Sequence, residues 1–211
     1  YSLALLLPAS AVYPGATHTR FEHALGAMAL MQEALLTLQE KGTVMTTDEV
    51  EGALAAALLH DVGHGPFSHT LERVLLPPGP PAPGGGDGAP FHHERMSRAV
   101  MERLGKERGG ALDTALAIFD AAYGRPFFHA LVSSQLDMDR LDYLRRDSFY
   151  TGVAEGVVGV ERILKTLRVH PASGGPGARI VVEAKGAYAV ENFLLSRRLM
   201  YGQVYLHKTV L

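Results

Sequence analysis

The chain has 211 residues, 47% hydrophobic and 20% charged, enough apolar material to bury the core of one globular domain spanning 1–211. A formal net charge of −2 excludes a global basic field, so nucleic-acid binding is not indicated, although a local arginine cluster can still hold a phosphate. The absence of cysteine excludes disulfides and leaves His, Asp and Glu to hold any metal, and the ten histidines make that supply generous.

No segment approaches the roughly 18 uninterrupted apolar residues of a membrane span. The opening Tyr1-Ser2-Leu3 lacks an initiator Met and a charged n-region. It therefore reads as the interior of a longer, cytoplasmic protein rather than as a signal peptide. Residues 3–13 are apolar and fit a helix end or a strand, and Tyr13-Pro14-Gly15 is a turn. Thr17 or Thr19 can cap a helix from about Arg20 to Lys41, with Leu25, Met28, Ala29, Met31, Leu35, Leu36 and Leu38 as its apolar positions and Gly42 as its stop. Thr46-Thr47-Asp48-Glu49 starts a second helix over 48–60, rich in Ala and Leu. Gly63, Gly65 and Pro66 break it, and Phe67–Leu75 begins another. Pro77–Pro90 is a loop of Pro and Gly. Further helices are expected from His92 to about Leu104, over Ala111–Tyr123, over Ala130–Leu144 and over Gly186–Leu211. Val160–Val169 is helical or passes into a strand that pairs with Ile180-Val181-Val182. The fold class is mainly α, a helical bundle with a small β-hairpin.

The chemistry gathers where the second helix ends. His60-Asp61 closes a run of small apolar residues, and His64 and His69 follow within a few positions. Histidine offers a borderline nitrogen and aspartate a hard oxygen, a pair suited to Mn, Fe, Mg, Zn or Ni. By itself the pair reads more readily as a capping His beside an exposed Asp. It gains weight from His23, on the apolar side of the first long helix, and from Asp137, Asp139 and Asp142. Those three acids alone would read as a solvated face with arginine partners at i+3 and i+4. Taken together, H…HD…D supplies four ligands with open positions for water or a substrate oxygen, as a hydrolytic metal site requires.

These residues resemble the H…HD…D signature of the HD-domain metal-dependent phosphohydrolases. Three longer blocks, from Tyr13 to His23, from His60 to His69 and from Asp137 to Asp147, are similar to the deoxynucleoside triphosphate triphosphohydrolases of SAM-and-HD-domain type and their bacterial relatives. The resemblance implies an HD-domain helical bundle and a divalent metal held by His23, His60, Asp61 and Asp139. It implies His64, His69 and His93 around the phosphate under attack, His93 as acid to the leaving oxygen, and Glu72 orienting that histidine. Arg20, Arg140 and Arg197 are implied as cations for phosphate oxygens. Tyr143 and Asp147 are implied at the deoxyribose, and Tyr205 on a helix closing over triphosphate and base. The implied reaction turns a dNTP into deoxynucleoside and triphosphate, in a homo-oligomer. Leu5-Leu6-Leu7-Pro8 departs from the family's Gln-Leu-Gly-Gly, and that Gln helps to recognise the sugar. A nucleoside monophosphate, an alarmone or another phosphoester therefore stays open as substrate, as does a nucleotide-sensing module without catalysis.

Overall fold

The structure, a computed structural model, describes residues 10, 12–65, 93–171 and 174–207. The expected helix over 67–75, the loop over 77–90, and residues Leu5, His69 and Glu72 lie outside them.

Helix α1 (Arg20–Glu40) packs mainly against the second helix and against the helix that starts after Asp137. Thr19, not Thr17, is its cap. The Thr19 hydroxyl accepts from the Glu22 N–H and the Glu22 carboxylate accepts from the Thr19 N–H, so two donors left open by a helix start are satisfied. Ala27, Leu30, Met31, Ala34, Leu35 and Leu38 bury one stripe at helical spacing, and His23 continues that stripe toward the N-terminus. Helix α2 (Thr47–Leu59) opens on a second capping box, Thr46 with Glu49. Its buried positions are Gly52, Ala53, Ala56 and Ala57 besides Glu49, and such small residues let it lie close against α1 and, at Gly52, against Thr114 and Ala115.

Helix α3 (His93–Glu107) and the short α4 (Asp113–Phe119) follow, α4 being trimmed at both ends relative to the expected 111–123. The single helix expected over Ala130–Leu144 is instead two, α5 (Phe127–Val132) and α6 (Met138–Thr151). Asp137 is the cause. Its backbone is extended, and its carboxylate accepts from the Ser134 N–H at 2.8 Å and the Arg140 N–H at 2.7 Å, an N-cap that starts a new helix. Helix α7 (Val160–Thr166) runs straight into β1 (Leu167–His170), which pairs antiparallel with β2 (Arg179–Val182), Leu167 opposite Val182. The expected hairpin is therefore present, and it leans on α1 and α5. Helix α8 (Ala187–Met200) stops well short of residue 211. It gives way to a π-turn over Tyr201–Tyr205, in which the Leu206 N–H reaches the Tyr201 carbonyl.

Phe127, Phe128, Phe193, Met31, Leu35, Leu38, Leu131, Leu141 and Leu144 are fully buried between these helices. Each such side chain contributes about 1.5–3 kcal/mol of transfer free energy. The architecture is mainly α with one two-stranded hairpin. No helix among the described residues is long and apolar enough to cross a membrane.

Candidate active site

His60 remains helical at the end of α2, and its Nδ1–H donates to the Ala57 carbonyl at 2.7 Å. In the neutral ring that bond places the proton on Nδ1 and leaves Nε2 as an acceptor, the form in which histidine ligates a metal. Nε2 is buried with no hydrogen-bond partner. His23 comes from α1. Its Nδ1–H donates to Asp142 Oδ2 at 2.8 Å, and Arg146 pins Asp142 with bonds of 2.8 and 2.9 Å. His23 Nε2 then faces Asp139 Oδ1 at 3.0 Å, and the same oxygen lies 3.4 Å from His60 Nε2. Asp61 completes the group, 3.5 Å from His60 Nε2 and 4.0 Å from His23 Nε2.

Two ring nitrogens and two carboxylates, from α1, the end of α2 and α6, thus converge on one point. His23, His60 and Asp61 each offer a ligand atom within 4.8 Å of the others, so the group could hold a metal ion. The orphaned nitrogen of His60 fits that role, since a buried acceptor without a donor is otherwise costly. Helices α1 and α6 approach closely enough because position 26 is glycine. A Cβ there would lie 1.9 Å from Asp142 Oδ1 and 2.3 Å from Arg146 Nη2.

Electrostatics tie the group together. Burial alone would depress the His23 imidazole, but Asp139 and Asp142 outweigh it and raise His23 to about 10. For His60 burial is likewise outweighed, by Asp61 and Asp139, and its value rises to about 9. Burial pushes the Asp139 and Asp61 carboxyls up, yet the neighbouring imidazoles hold both below the ordinary carboxylate value. Positive charge is strongly favoured at this point, whether it arrives as protons or as a cation.

Beside the cluster opens a cavity of about 400 Å³. Arg20, Asp61, His64 and His93 line it near the cluster, and Tyr143, Asp147, Tyr201 and Tyr205 line it farther along α6 and the π-turn. Arg20 Nη1 donates to Asp61 Oδ2 at 3.2 Å. The His64 and His93 rings stack with centroids 3.8 Å apart. Gly63 makes that stack possible, since a Cβ there would lie 2.3 Å from the His93 carbonyl oxygen, and its N–H donates to Ser97 Oγ at 2.9 Å. Asp139 and Asp147 are two helical turns apart on the same face of α6, about 12 Å along the axis.

A model of the HD domain matches residues 20–146. The chain belongs to the HD-domain family. Its fold is similar to the crystal structure of a Bacteroides thetaiotaomicron phosphohydrolase, with 51% identity and a TM-score of 0.86 over 99% of this chain and 47% of that one. The Bacillus subtilis protein YwfO is 35% identical over 204 residues, 92% of this chain and 42% of its own length. A Dictyostelium discoideum deoxynucleoside triphosphate triphosphohydrolase, a SAMHD1 homolog, is 28% identical over 213 residues, 94% of this chain and 39% of its own. This chain spans less than half the length of these relatives.

Within this HD domain most residues singled out from sequence come together. His23, His60, Asp61 and Asp139 form the cluster, and Arg20, His64, His93, Arg140, Tyr143, Asp147 and Tyr205 line the cavity beside it. Arg197 is not among the lining residues. It donates to Gln135 at 3.0 Å, and its guanidinium lies 5.8 Å from the ring centroid of Tyr201, which does line the cavity. Arg140 is bonded to the Asp137 carboxylate, while its Nε is buried without a partner.

Two acids differ from a solvated face. Asp137 and Asp142 are both 0% exposed, one capping α6 and holding Arg140, the other carrying His23. Their arginine partners do sit at i+3 and i+4, as the spacing implies. What spacing could not convey is that the outer side of each pair is protein. The signal available was their place beside Leu141 and Leu144, on a helix that must bury one side.

Proposed function

We propose that this chain is the catalytic HD domain of a metal-dependent phosphohydrolase that cleaves a dNTP to deoxynucleoside and triphosphate. The observation that carries this is the polarity of the cavity. Cationic and metal-ligating groups lie at one end, and a carboxylate among tyrosines lies at the other, about 12 Å away along α6. A phosphate chain is attracted to the first end and repelled by the Asp147 carboxylate at the second. A sugar fits the second end, where a hydroxyl can donate to Asp147 and a ring can lie against Tyr143. The resemblance of the three sequence blocks and the dNTP triphosphohydrolase among the relatives support the same substrate.

His23, His60, Asp61 and Asp139 would hold the divalent ion. Mn, Fe, Mg, Zn and Ni all suit two nitrogens and two oxygens. When bound, the ion supplies Lewis acidity toward a phosphoryl oxygen and makes an attacking water more acidic. The remaining steps belong to side chains of the chain. Asp142 fixes the His23 ring by holding Nδ1–H, and the Ala57 carbonyl does the same for His60. Arg20 bridges Asp61 to the phosphate end. Arg140, with Nε open and one nitrogen held by Asp137, presents a fixed fork to phosphate oxygens. His64 and His93 stabilise developing phosphoryl charge, with His93 giving a proton to the departing oxygen. His69 and Glu72 would join them from outside the described residues, and Arg197 and Tyr205 would close over the nucleotide. We place this activity in a cytoplasmic homo-oligomer.

The test is a panel of deoxynucleoside triphosphates, ribonucleotides, nucleoside monophosphates and an alarmone, run with each divalent metal. Release of triphosphate from dNTPs, abolished in His60→Ala and Asp61→Ala, is the expected result. Turnover of only a monophosphate or alarmone would move the substrate within the family, the outcome that Leu5 in place of the family's Gln favours. Nucleotide binding without turnover under any metal would leave a sensor.

A further inference from the structure

His18 has no part in the site as described so far and does not line the cavity. It is nonetheless buried, at 1% exposure, and its ring stacks on Tyr150 with centroids 4.6 Å apart. Its Nε2 lies 2.8 Å from Asp147 Oδ1. A carboxylate oxygen that is ionised can only accept, so Nε2 carries the proton. The other oxygen of Asp147 accepts from the Tyr205 hydroxyl at 2.7 Å. Asp147 therefore meets one donor at each oxygen, the two arriving from 129 and 58 residues away in the chain.

We infer that His18 is a positioning residue for substrate recognition, holding Asp147 so that its remaining lone pairs receive a sugar hydroxyl. The inference rests on the dNTP reading above. Without a donor at Oδ1 the carboxylate would be free to turn about its terminal torsion, which is broad and poorly defined by itself. With both oxygens held, rotation would break one bond or the other. A pairing made only for stability would have no need to put its acid on a cavity wall, and Asp147 and Tyr205 both stand there. The cap of α1 gives the arrangement its geometry. Thr19 sits between His18 and Arg20, so a single capping box directs His18 to Asp147 and Arg20 to Asp61 at the opposite end of the cavity.

The experiment compares a dNTP with its 2′,3′-dideoxy analogue in the metal-loaded protein. The wild-type protein should favour the hydroxyl-bearing substrate by about tenfold or more in kcat/KM. His18→Phe keeps a ring against Tyr150 and removes the donor. It should lose most of that preference, chiefly through KM for the dNTP, while turning over the dideoxy analogue as the wild type does. His18→Gln, whose amide can reach the Nε2 position, should restore the preference. If the Phe variant does not fold, His18→Asn, whose amide reaches only the Nδ1 position, serves in the same comparison against Gln. An unchanged preference, or equal losses on both substrates, overturns the positioning role. A wild-type protein that hydrolyses no dNTP overturns the substrate reading beneath it, and this is visible before any variant is made.

Discussion

Two buried charged networks in this molecule are built in opposite ways. Around Glu49, which is 5% exposed, every bond closes within the chain. Arg125 Nη1 reaches both carboxylate oxygens at 2.8 Å, and the Tyr123 hydroxyl and the Thr46 N–H add bonds of 2.9 and 2.8 Å. Arg125 then gives its other nitrogens to the Gly174 and Val44 carbonyls and lies over Phe127 and Phe128. Around His60 the bonding stops one partner short. Nδ1 is tied to Ala57, Asp139 and Asp61 stand near, and Nε2 is buried without a hydrogen-bond partner. A closed network stabilises the fold, whereas an open one has a polar atom to offer a ligand. Both gather opposite charges in the interior, and the satisfaction of their polar atoms separates them.

The contrast is tested most severely at its open end. His60→Ala should abolish hydrolysis and metal retention, and the rise in melting temperature that added divalent metal gives the wild-type protein should vanish with them. A variant that still gains melting temperature from the metal would place His60 with Glu49 and erase the distinction. Glu49→Ala should do the converse, leaving the half-buried Arg125 without its carboxylate at a cost of about 2–3 kcal/mol. That is roughly 4–12 °C in melting temperature for a domain of this size, with turnover per folded molecule retained at low temperature. A smaller effect is expected at the junction of metal and scaffold. Asp142→Asn keeps an oxygen near His23 but loses the charge, and should weaken metal binding by about 10–100-fold in a direct titration. Unchanged affinity would mean that Asp142 serves only Arg146.

Much of this was legible in the chain. The capping boxes at Thr19 and Thr46 are local, written within four residues, and the helices they start are present. The hairpin was legible because β-branched residues flank a Gly-rich turn. The H…HD…D residues were legible as a set because buried histidines and aspartates are rarely placed together without cause. The rest depends on contacts that spacing does not encode. Asp137 reads as one more acid in a charged string until its carboxylate is seen to accept from Ser134 and Arg140, which divides one expected helix into two. The π-turn after Met200 has no sequence signal as strong as a proline, yet the Tyr205 that bonds Asp147 lies within it. Nothing local in the chain points to a task for His18, because its partner lies 129 residues away.

The closed network also predicts a pH dependence. Burial raises the Glu49 carboxyl, but the Thr46 N–H, Arg125 and Tyr123 together outweigh it and hold the group below its ordinary 4.5. A carboxylate depressed in the folded state binds its proton more readily in the unfolded chain, so its contribution is complete above the unfolded value. It is lost as pH falls through the folded one. Glu49→Gln, which keeps the shape and one acceptor, should therefore be less stable than the wild type by about 1–3 kcal/mol at neutral pH. Thermal melts stepped down through pH 4.5 toward more acid conditions should show the two proteins converging, because the wild-type Glu49 becomes the neutral group that the glutamine already is. A gap that persists undiminished in acid would mean that Glu49 contributes through shape and packing rather than charge. The network would then be closed in geometry only.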